Sequence, residues 1–459
     1  MRRLSPNDAM FLVTESRETM MHVASMMTFT LPDDAPPAYL RSLMGELRAR
    51  PPVYAPFNQR LEYPEFLKNP LQRWIEDDVD LDYHVRRSAL PSPGDERELG
   101  VLVSRLHGIA LDFHRPPWET HLIEGLADAE GKKRFAIYTK LHHALVDGFT
   151  GTKLLAQSFS TDPNERDRPL FFSIPREQKQ VDTEEPASTG FLGALRAQAL
   201  AAGEVSRVAL DLARGAKPLS DLVGPLDAPM SILNRRISRN RRFATQQYPL
   251  ELIRSIAKAG GGTLNDAMLA LVGGALRRFL VGLGELPDQP LIAMLPVNVR
   301  PKDDPGGGNA VGAILASLGT HIADPEARFS AIVASTRAAK ERLQGMTRNA
   351  IIQLSALLML PSGMQFLTRT LGRLRPQFNV VVSNVPGPEQ PLYFRGARLD
   401  AVYPVSIPIH GMALNITCQS YAGTLNVGLT GCRDTIPRLQ RLAINMGEEV
   451  QALTNVFGL

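Results

Sequence analysis

Leu141-His142-His143-Ala144-Leu145-Val146-Asp147-Gly148 is the stretch on which the reading of this chain turns. Before it runs Arg134-Phe135-Ala136-Ile137-Tyr138-Thr139-Lys140, rich in β-branched and aromatic residues and so an expected strand. After it, Phe149, Leu154, Leu155 and Phe159 fall roughly at helical spacing. The two histidines are therefore expected where a strand gives way to a loop that feeds a helix. Rigid elements on both sides suit a group that must be held accurately. Histidine is the side chain best matched to moving protons near neutral pH. Asp147, four residues after His143, can curl back and fix the turn, and Gly148 lets the chain take the corner without a Cβ clash. These residues are compatible both with a catalytic histidine and with an ordinary Asp-Gly turn. A metal site is disfavoured. Adjacent histidines on an extended segment point to opposite faces, and no Cys or acidic cluster nearby completes a shell.

At 459 residues the chain exceeds what a single core usually supports, so two or more domains are expected. Hydrophobic and charged contents of 44% and 21% are those of a globular protein. Two cysteines, Cys418 and Cys432, exclude a disulfide framework and fit a reducing compartment. The start, Met1-Arg2-Arg3-Leu4-Ser5-Pro6, has no apolar stretch of a signal peptide behind its arginines. No uninterrupted apolar run reaches the ~20 residues that span a bilayer. A net charge of +4 is mildly basic; it does not point to nucleic acid, and it is compatible with a phosphate-bearing ligand or an anionic membrane surface.

Outward from the His pair, residues 37–50 suggest a helix with Leu40, Leu43 and Leu47. Leu81, Tyr83 and Val85 alternate with Asp82 and His84, which reads as an extended piece. Residues 96–110 carry Leu99, Leu102, Val103 and Leu106 at helical spacing, and Pro116-Pro117-Trp118 then forces an extended turn. Residues 120–125 follow as a strand able to pair beside the His strand. Residues 161–186 hold Pro163, Pro169, Pro175 and Pro186 among many charges and read as a linker with little core. Residues 191–212 suggest a helix lying across both halves. Arg235, Arg236, Arg239, Arg241 and Arg242 read as a solvated face or as a grip for phosphates or lipid head groups.

A second α/β pattern begins near Phe243. Thr263 and Asp266 have capping-box spacing ahead of a helix, residues 267–280, that is apolar on nearly every face. Residues 291–299 read as a strand, and Gly306-Gly307-Gly308-Asn309 as a loop. No Gly-Lys-Ser/Thr follows to make that loop a phosphate cradle. Residues 378–384 form a strand, 414–421 and 425–429 a hairpin about Ala422-Gly423, and Leu439, Leu442, Met446 and Val450 a terminal helix.

His142-His143-Ala144-Leu145-Val146-Asp147-Gly148 resembles the HHxxxDG signature of the CoA-dependent acyltransferase superfamily, which includes chloramphenicol acetyltransferase, carnitine acyltransferases and peptide-synthetase condensation domains. Further segments resemble one branch, the bacterial wax ester synthase/diacylglycerol acyltransferase family. They are Leu4-Ser5-Pro6-Asn7-Asp8, the Pro116-Pro117-Trp118 turn (the family has Pro-Leu-Trp), residues 231–243, Asn265-Asp266, Gly308-Asn309 and Ser383-Asn384-Val385-Pro386-Gly387-Pro388. The likeness spans nearly the whole chain.

The resemblance implies an α/β (α+β) fold of two chloramphenicol-acetyltransferase-like domains packed face to face. It suggests residues 1–160 with the HHxxxDG motif, a linker and bridging helix over 161–242, and a second domain over 243–459. It implies one active site at the domain interface and acyl transfer from acyl-CoA to a long-chain alcohol, giving a wax ester, or to diacylglycerol, giving triacylglycerol. His143 would be the general base, His142 its support, Asp147 the residue that orients the loop, and Asn265 polar help near the thioester carbonyl or the acceptor. Gly148, Trp118, Asp266 and Asn309 would contact substrate. No metal or cofactor is expected, since acyl-CoA is a substrate. The absence of a Gly-x-Ser-x-Gly elbow fits direct attack by the alcohol. The expected setting is cytoplasmic, with peripheral attachment to membrane or lipid droplets. Three alternatives share the motif: a condensation-type enzyme with an amine acceptor and a carrier protein, a short-chain acetyltransferase, and a lipid-binding homologue without catalysis. No carrier-type segment is visible, and the intact motif argues against the last.

Overall fold

The computed structural model describes residues 2–4, 6–49, 51–69, 71–146, 148–175, 223–224, 227–298, 311–344 and 346–459. Asp147, Asn309 with its glycine loop, and the helix expected over 191–212 lie outside the described residues. In chain order the first elements are β1 (Arg2–Arg3), α1 (Pro6–Thr14), β2 (His22–Thr30), α2 (Tyr39–Arg48), β3 (Gln59–Leu61), β4 (Arg73–Glu76), α3 (Leu81–His84), β5 (Val85–Ala89), α4 (Glu96–His107), β6 (Trp118–Ala129), β7 (Lys132–His142) and α5 (Gly148–Gln157). After these come β8 (Arg241–Pro249), α6 (Leu250–Ala259), α7 (Leu264–Leu283), β9 (Ile292–Asn298), β10 (Val311–Ser317), α8 (Pro325–Leu343), α9 (Arg348–Leu367), β11 (Val380–Val385), β12 (Tyr393–Phe394), β13 (Ala397–Val405), β14 (Leu414–Tyr421), β15 (Thr424–Cys432) and α10 (Leu439–Phe457). The result is a mixed α/β fold.

The chain divides into two units that do not follow a single cut. One gathers Met1–Arg176, Ile237–Leu252 and Asn384–Ala443; the other gathers Glu177–Arg236, Ile253–Ser383 and Ile444–Leu459. The first unit is built on a six-stranded sheet of order β12-β13-β2-β7-β6-β5, antiparallel except for the parallel β5–β6 pair. Because strand side chains alternate between faces, each strand feeds two cores. Met27, Phe29, Phe135, Ile137, Leu141 and Trp118 join Leu43 and Leu47 of α2 and Leu154 and Leu155 of α5 on one face. Met26, Tyr138 and Ile123 face Leu99, Val103 and Leu106 of α4 and Phe243 of β8 on the other. Strands β8, β15 and β14 run as antiparallel neighbours in the same unit. Ala422 and Gly423 join β14 to β15 with positive φ of 43° and 82°, the conformation that suits a tight hairpin.

In the second unit, α7 starts at a true capping box: the Thr263 side chain takes the Asp266 N–H and the Asp266 side chain takes the Thr263 N–H. Its burial all round needs close neighbours. A Cβ on Gly273 would lie 2.4 Å from the Leu318 carbonyl oxygen, and one on Gly274 would lie 2.0 Å from the Glu449 carboxyl carbon. Buried Glu449 is in turn paired with Arg328 and, at 3.1 Å, with Arg278. Strand β9 pairs antiparallel with β10 and parallel with β11.

Three expectations need correction. Residues 81–84 form a helical turn, not an extended piece, because the Asp80 carboxylate caps the Asp82 and Tyr83 N–H groups; extension begins only at Val85. The stretch from Thr161 to Pro175 is not a coreless linker. Leu170, Phe171 and Phe172 are buried in the first core, where each stabilises by roughly 1.5–3 kcal/mol, enough to order a proline-rich segment. Arg241 is not part of a solvated face. It is buried, donating to the Ser238 carbonyl at 2.6 Å and to the Glu18 carbonyl at 2.5 Å, and burial pulls its pKa down to about 10. Arg235, Arg236 and Arg239 are exposed.

Candidate active site

His142 is the last residue of β7 and His143 the first of the turn that follows. His142 lies opposite His22 of β2, and its N–H donates to the Pro117 carbonyl at 2.9 Å. The Pro116-Pro117-Trp118 turn thus seats the strand end, and the second proline supplies the acceptor. The His143 N–H donates to the Met21 carbonyl at 2.8 Å. Ala144, Leu145 and Val146 then turn into the core, all nearly fully buried, so the loop is anchored by apolar packing on its inner side. Gly151 of α5 lets that helix close on the strand end, since a Cβ there would lie 3.2 Å from Leu141.

The two rings have different surroundings. His142 is buried; its Nδ1 accepts the Ala144 N–H at 3.1 Å. That bond uses the Nδ1 lone pair, so the proton sits on Nε2, which faces the Glu15 carboxylate at 3.4 Å. Phe113 covers the ring edge-on at 5.0 Å. The His143 ring is half-buried and stacks on Phe11 of α1, centroids 4.0 Å apart and planes inclined at 21°. Glu15 also accepts the Met21 N–H at 2.5 Å. One carboxylate therefore holds both the His142 ring and the segment whose carbonyl fixes His143. Neither Phe11 nor Glu15 stands out in the sequence. Glu15 lies 127 residues from its histidine, and no local spacing rule connects them.

Behind His142 the same sheet face carries a buried polar layer. The Lys140 ammonium is fully buried and places its three protons on the Leu106 carbonyl at 3.0 Å, the Ile109 carbonyl at 2.8 Å and the Glu119 carboxylate at 2.8 Å. Burial pulls the Lys140 pKa down, and the contact with Glu119 opposes that pull. Burial disfavours ionised Glu119, but His121 and Lys140 overcome it and hold the carboxyl at about 2. His107, at the end of α4, accepts a hydrogen bond from the Tyr138 hydroxyl on Nδ1 at 2.9 Å and donates from Nε2 to the Ser406 carbonyl at 3.0 Å. Burial, then nearby Lys140, pushes it down to about 3; His22, donating to the His107 carbonyl at 2.9 Å, is likewise well below its ordinary value. This layer ties α4 to the strand that presents the His pair.

The other expected site residues fall as follows. Gly148 is the first residue of α5. Trp118 is fully buried, stacks on His84 and Phe172 at 4.5 and 5.3 Å, and donates from its indole to the Phe57 carbonyl at 2.8 Å. In the second unit, Asn265 is exposed in the first turn of α7. Asp266 is buried: one oxygen takes the Thr263 N–H and hydroxyl, both at 2.7 Å, and the other takes the Thr336 hydroxyl at 2.7 Å. Its carboxylate caps α7 and ties it to α8.

Residues 4–268 match the family described as the wax ester synthase/diacylglycerol acyltransferase catalytic domain, and residues 307–454 match the WS/DGAT C-terminal domain. A putative diacylglycerol O-acyltransferase of Mycobacterium tuberculosis is 52% identical over 492 residues, covering 100% of this chain and 98% of the relative. The solved structure of a wax ester synthase/diacylglycerol acyltransferase from Marinobacter aquaeolei VT8 is similar with TM-score 0.79 and 35% identity, covering 100% of both chains. The starter condensation domain of rhizomide synthetase matches with TM-score 0.54 and 14% identity over 100% of this chain and 94% of that one, a likeness of fold alone.

Proposed function

This chain belongs to the wax ester synthase/diacylglycerol acyltransferase family, and from that premise we propose that it transfers a long-chain fatty acyl group from acyl-CoA to the hydroxyl of a long-chain alcohol or of diacylglycerol. The alcohol oxygen attacks the thioester carbonyl carbon while His143 takes the hydroxyl proton. The tetrahedral intermediate collapses by breaking the carbon–sulfur bond, and His143 returns the proton to the CoA thiolate. The observation that carries this assignment is the contrast between the two rings. His142 is buried beneath Phe113, whereas His143, at the turn that ends β7, is half-buried and lies flat on Phe11. His142 is then the supporting residue. Asp147 is assigned to orienting the loop and Asn265 to polar help near the carbonyl. Gly148, Trp118, Asp266 and Asn309 are assigned to the surroundings of the substrate; for buried Trp118 and Asp266 that role consists of holding the local fold in place.

Because both acceptors partition into lipid, we place the enzyme at the surface of membranes or lipid droplets. Among the described residues no helix is long and apolar enough to cross a membrane. The test is transfer of radiolabelled palmitoyl-CoA to hexadecanol, diacylglycerol and a long-chain amine. Ester products, with a loss of about 10²–10⁴-fold on His143→Ala, are expected. Amide formation in preference to ester, or a His143→Ala variant of normal rate, rejects the proposal.

A further inference from the structure

Helix α9 is anchored by its first half and presents its second half to solvent. Leu354 is buried, and Ser355 accepts the Ala313 N–H of β10 at 3.0 Å. Beyond that point Leu357, Leu360, Met364 and Leu367 are each between 45% and 74% exposed. Their spacing of three, four and three residues sets them on one helical face about 15 Å long. Leu374, 53% exposed, follows after the helix. Single exposed leucines are ordinary, but a contiguous row is not. The charge around the row is one-sided. From Arg342 to Pro388 the chain carries five arginines and no aspartate or glutamate, and Arg369 and Arg373 stand exposed where the apolar row ends.

We propose that the second half of α9 docks on an anionic lipid surface, with Leu360, Met364 and Leu367 entering among the acyl chains and Arg369 and Arg373 meeting the headgroup phosphates. Apolar side chains on one face with arginines at its end match the layered order of such a surface. A second copy of this chain is the competing occupant. A twofold contact through this face would set arginines near arginines with no local acid to offset them. The inference rests on the lipid-surface reading above and adds the element that makes the contact.

The probe is co-sedimentation with vesicles of phosphatidylcholine alone and of phosphatidylcholine mixed with phosphatidylglycerol. The full chain should bind the mixed vesicles, less so as salt rises. The combined Leu360→Gln, Met364→Gln, Leu367→Gln variant should lose binding. Arg369→Gln with Arg373→Gln should lower the partition coefficient on mixed vesicles about fivefold per arginine. All changed positions are exposed, so melting temperatures and turnover with a short, water-soluble alcohol should stay at the parent level. Leu367→Trp, which keeps the face apolar, should shift its emission to the blue on mixed vesicles. Parent binding that survives both sets of changes, or no shift from Leu367→Trp, overturns the assignment to α9. A parent chain that binds no vesicle overturns the lipid-surface reading itself, whereas a dimer that the triple variant splits overturns the docking of α9 on lipid. Loss of turnover on the soluble alcohol in the parent chain counts instead against the proposed reaction.

Discussion

Replacing Glu15 by alanine removes a carboxylate that touches both parts of the His loop. Its side chain is only 7% exposed, and it accepts the Met21 N–H at 2.5 Å while facing His142 Nε2 at 3.4 Å. The change leaves two buried donors without their acceptor. An orphaned buried donor costs about 1–3 kcal/mol, and the longer contact belongs at the low end, so a loss of roughly 2–4 kcal/mol in stability is expected. The effect on rate comes through Met21. Its carbonyl holds the His143 N–H at 2.8 Å, so a loosened Met21 segment lets the His143 ring drift. A misplacement on the order of 1 Å costs about 10²-fold in turnover.

The assay is single-turnover transfer from palmitoyl-CoA to hexadecanol, with thermal melts and the KM for acyl-CoA measured alongside. Glu15→Ala should lower kcat by about 10- to 100-fold with KM little changed. Glu15→Gln keeps a carbonyl oxygen for the Met21 N–H and should recover most of the rate and the melt. A folded Glu15→Ala variant with parental kcat refutes the positioning argument, whatever its melting temperature. A Glu15→Gln variant as slow as the alanine shows that charge, not the hydrogen bond, is what matters.

The remaining predictions concern the supports of the site. His22 and His107 are buried neutral with depressed pKa, His107 at about 3. Above the unfolded value of about 6.5 neither state takes a proton; below it only the unfolded chain does, so stability is lost as pH falls toward about 3, by up to about 1.4 kcal/mol per pH unit for each histidine. Melts taken across this range should show the slope, and His107→Gln should reduce it; an unchanged slope argues against burial as its source. Lys140→Met should destabilise the chain in urea unfolding by at most about 3–5 kcal/mol, since Glu119 keeps His121 at 3.5 Å and Arg86 at 3.4 Å, and the added change Glu119→Leu should recover part of the loss. Trp118→Ala should cost about 3–5 kcal/mol by opening the core, with activity falling only in step with folded fraction at the assay temperature. Asp266→Ala should cost roughly 1–3 kcal/mol through the Thr263 N–H left without its carboxylate acceptor and the lost tie to Thr336, whose hydroxyl keeps the Val333 carbonyl at 3.1 Å, without a change in acyl-CoA affinity beyond that explained by unfolding; a selective loss of affinity would instead make Asp266 a ligand contact.

Much of this molecule is legible locally. Short-range rules depend on neighbours within a few residues, so the strand before the His pair, the helix after it, the Thr263–Asp266 capping box, the Ala422-Gly423 hairpin and the Leu439–Val450 stripe all stand where periodicity and turn chemistry put them. Where local signals conflict, the reading slips. Leu81, Tyr83 and Val85 alternate as in a strand, but the carboxylate of Asp80 offers two N–H groups a better arrangement as a helical turn. Prolines and charges in residues 161–175 read as linker, but Leu170, Phe171 and Phe172 find a core to fill that the segment itself does not contain.

By itself, then, the sequence determined the order and kind of most elements, the motif that marks the site, and the resemblance that names the chemistry. The tertiary structure alone decided which residues surround that motif. Phe11 reaches the histidines from α1 and Glu15 from just past its end, Pro117 supplies the acceptor for His142, and β13, more than 250 residues after β7, returns to the same sheet beside β2. It also turned Arg241 inward and Leu360, Met364 and Leu367 outward, against what their local composition suggests. The reason is physical: propensity and periodicity act over one or two turns of chain, whereas burial, tautomer and pairing are set by what chain closure brings within a few ångströms from anywhere in the sequence.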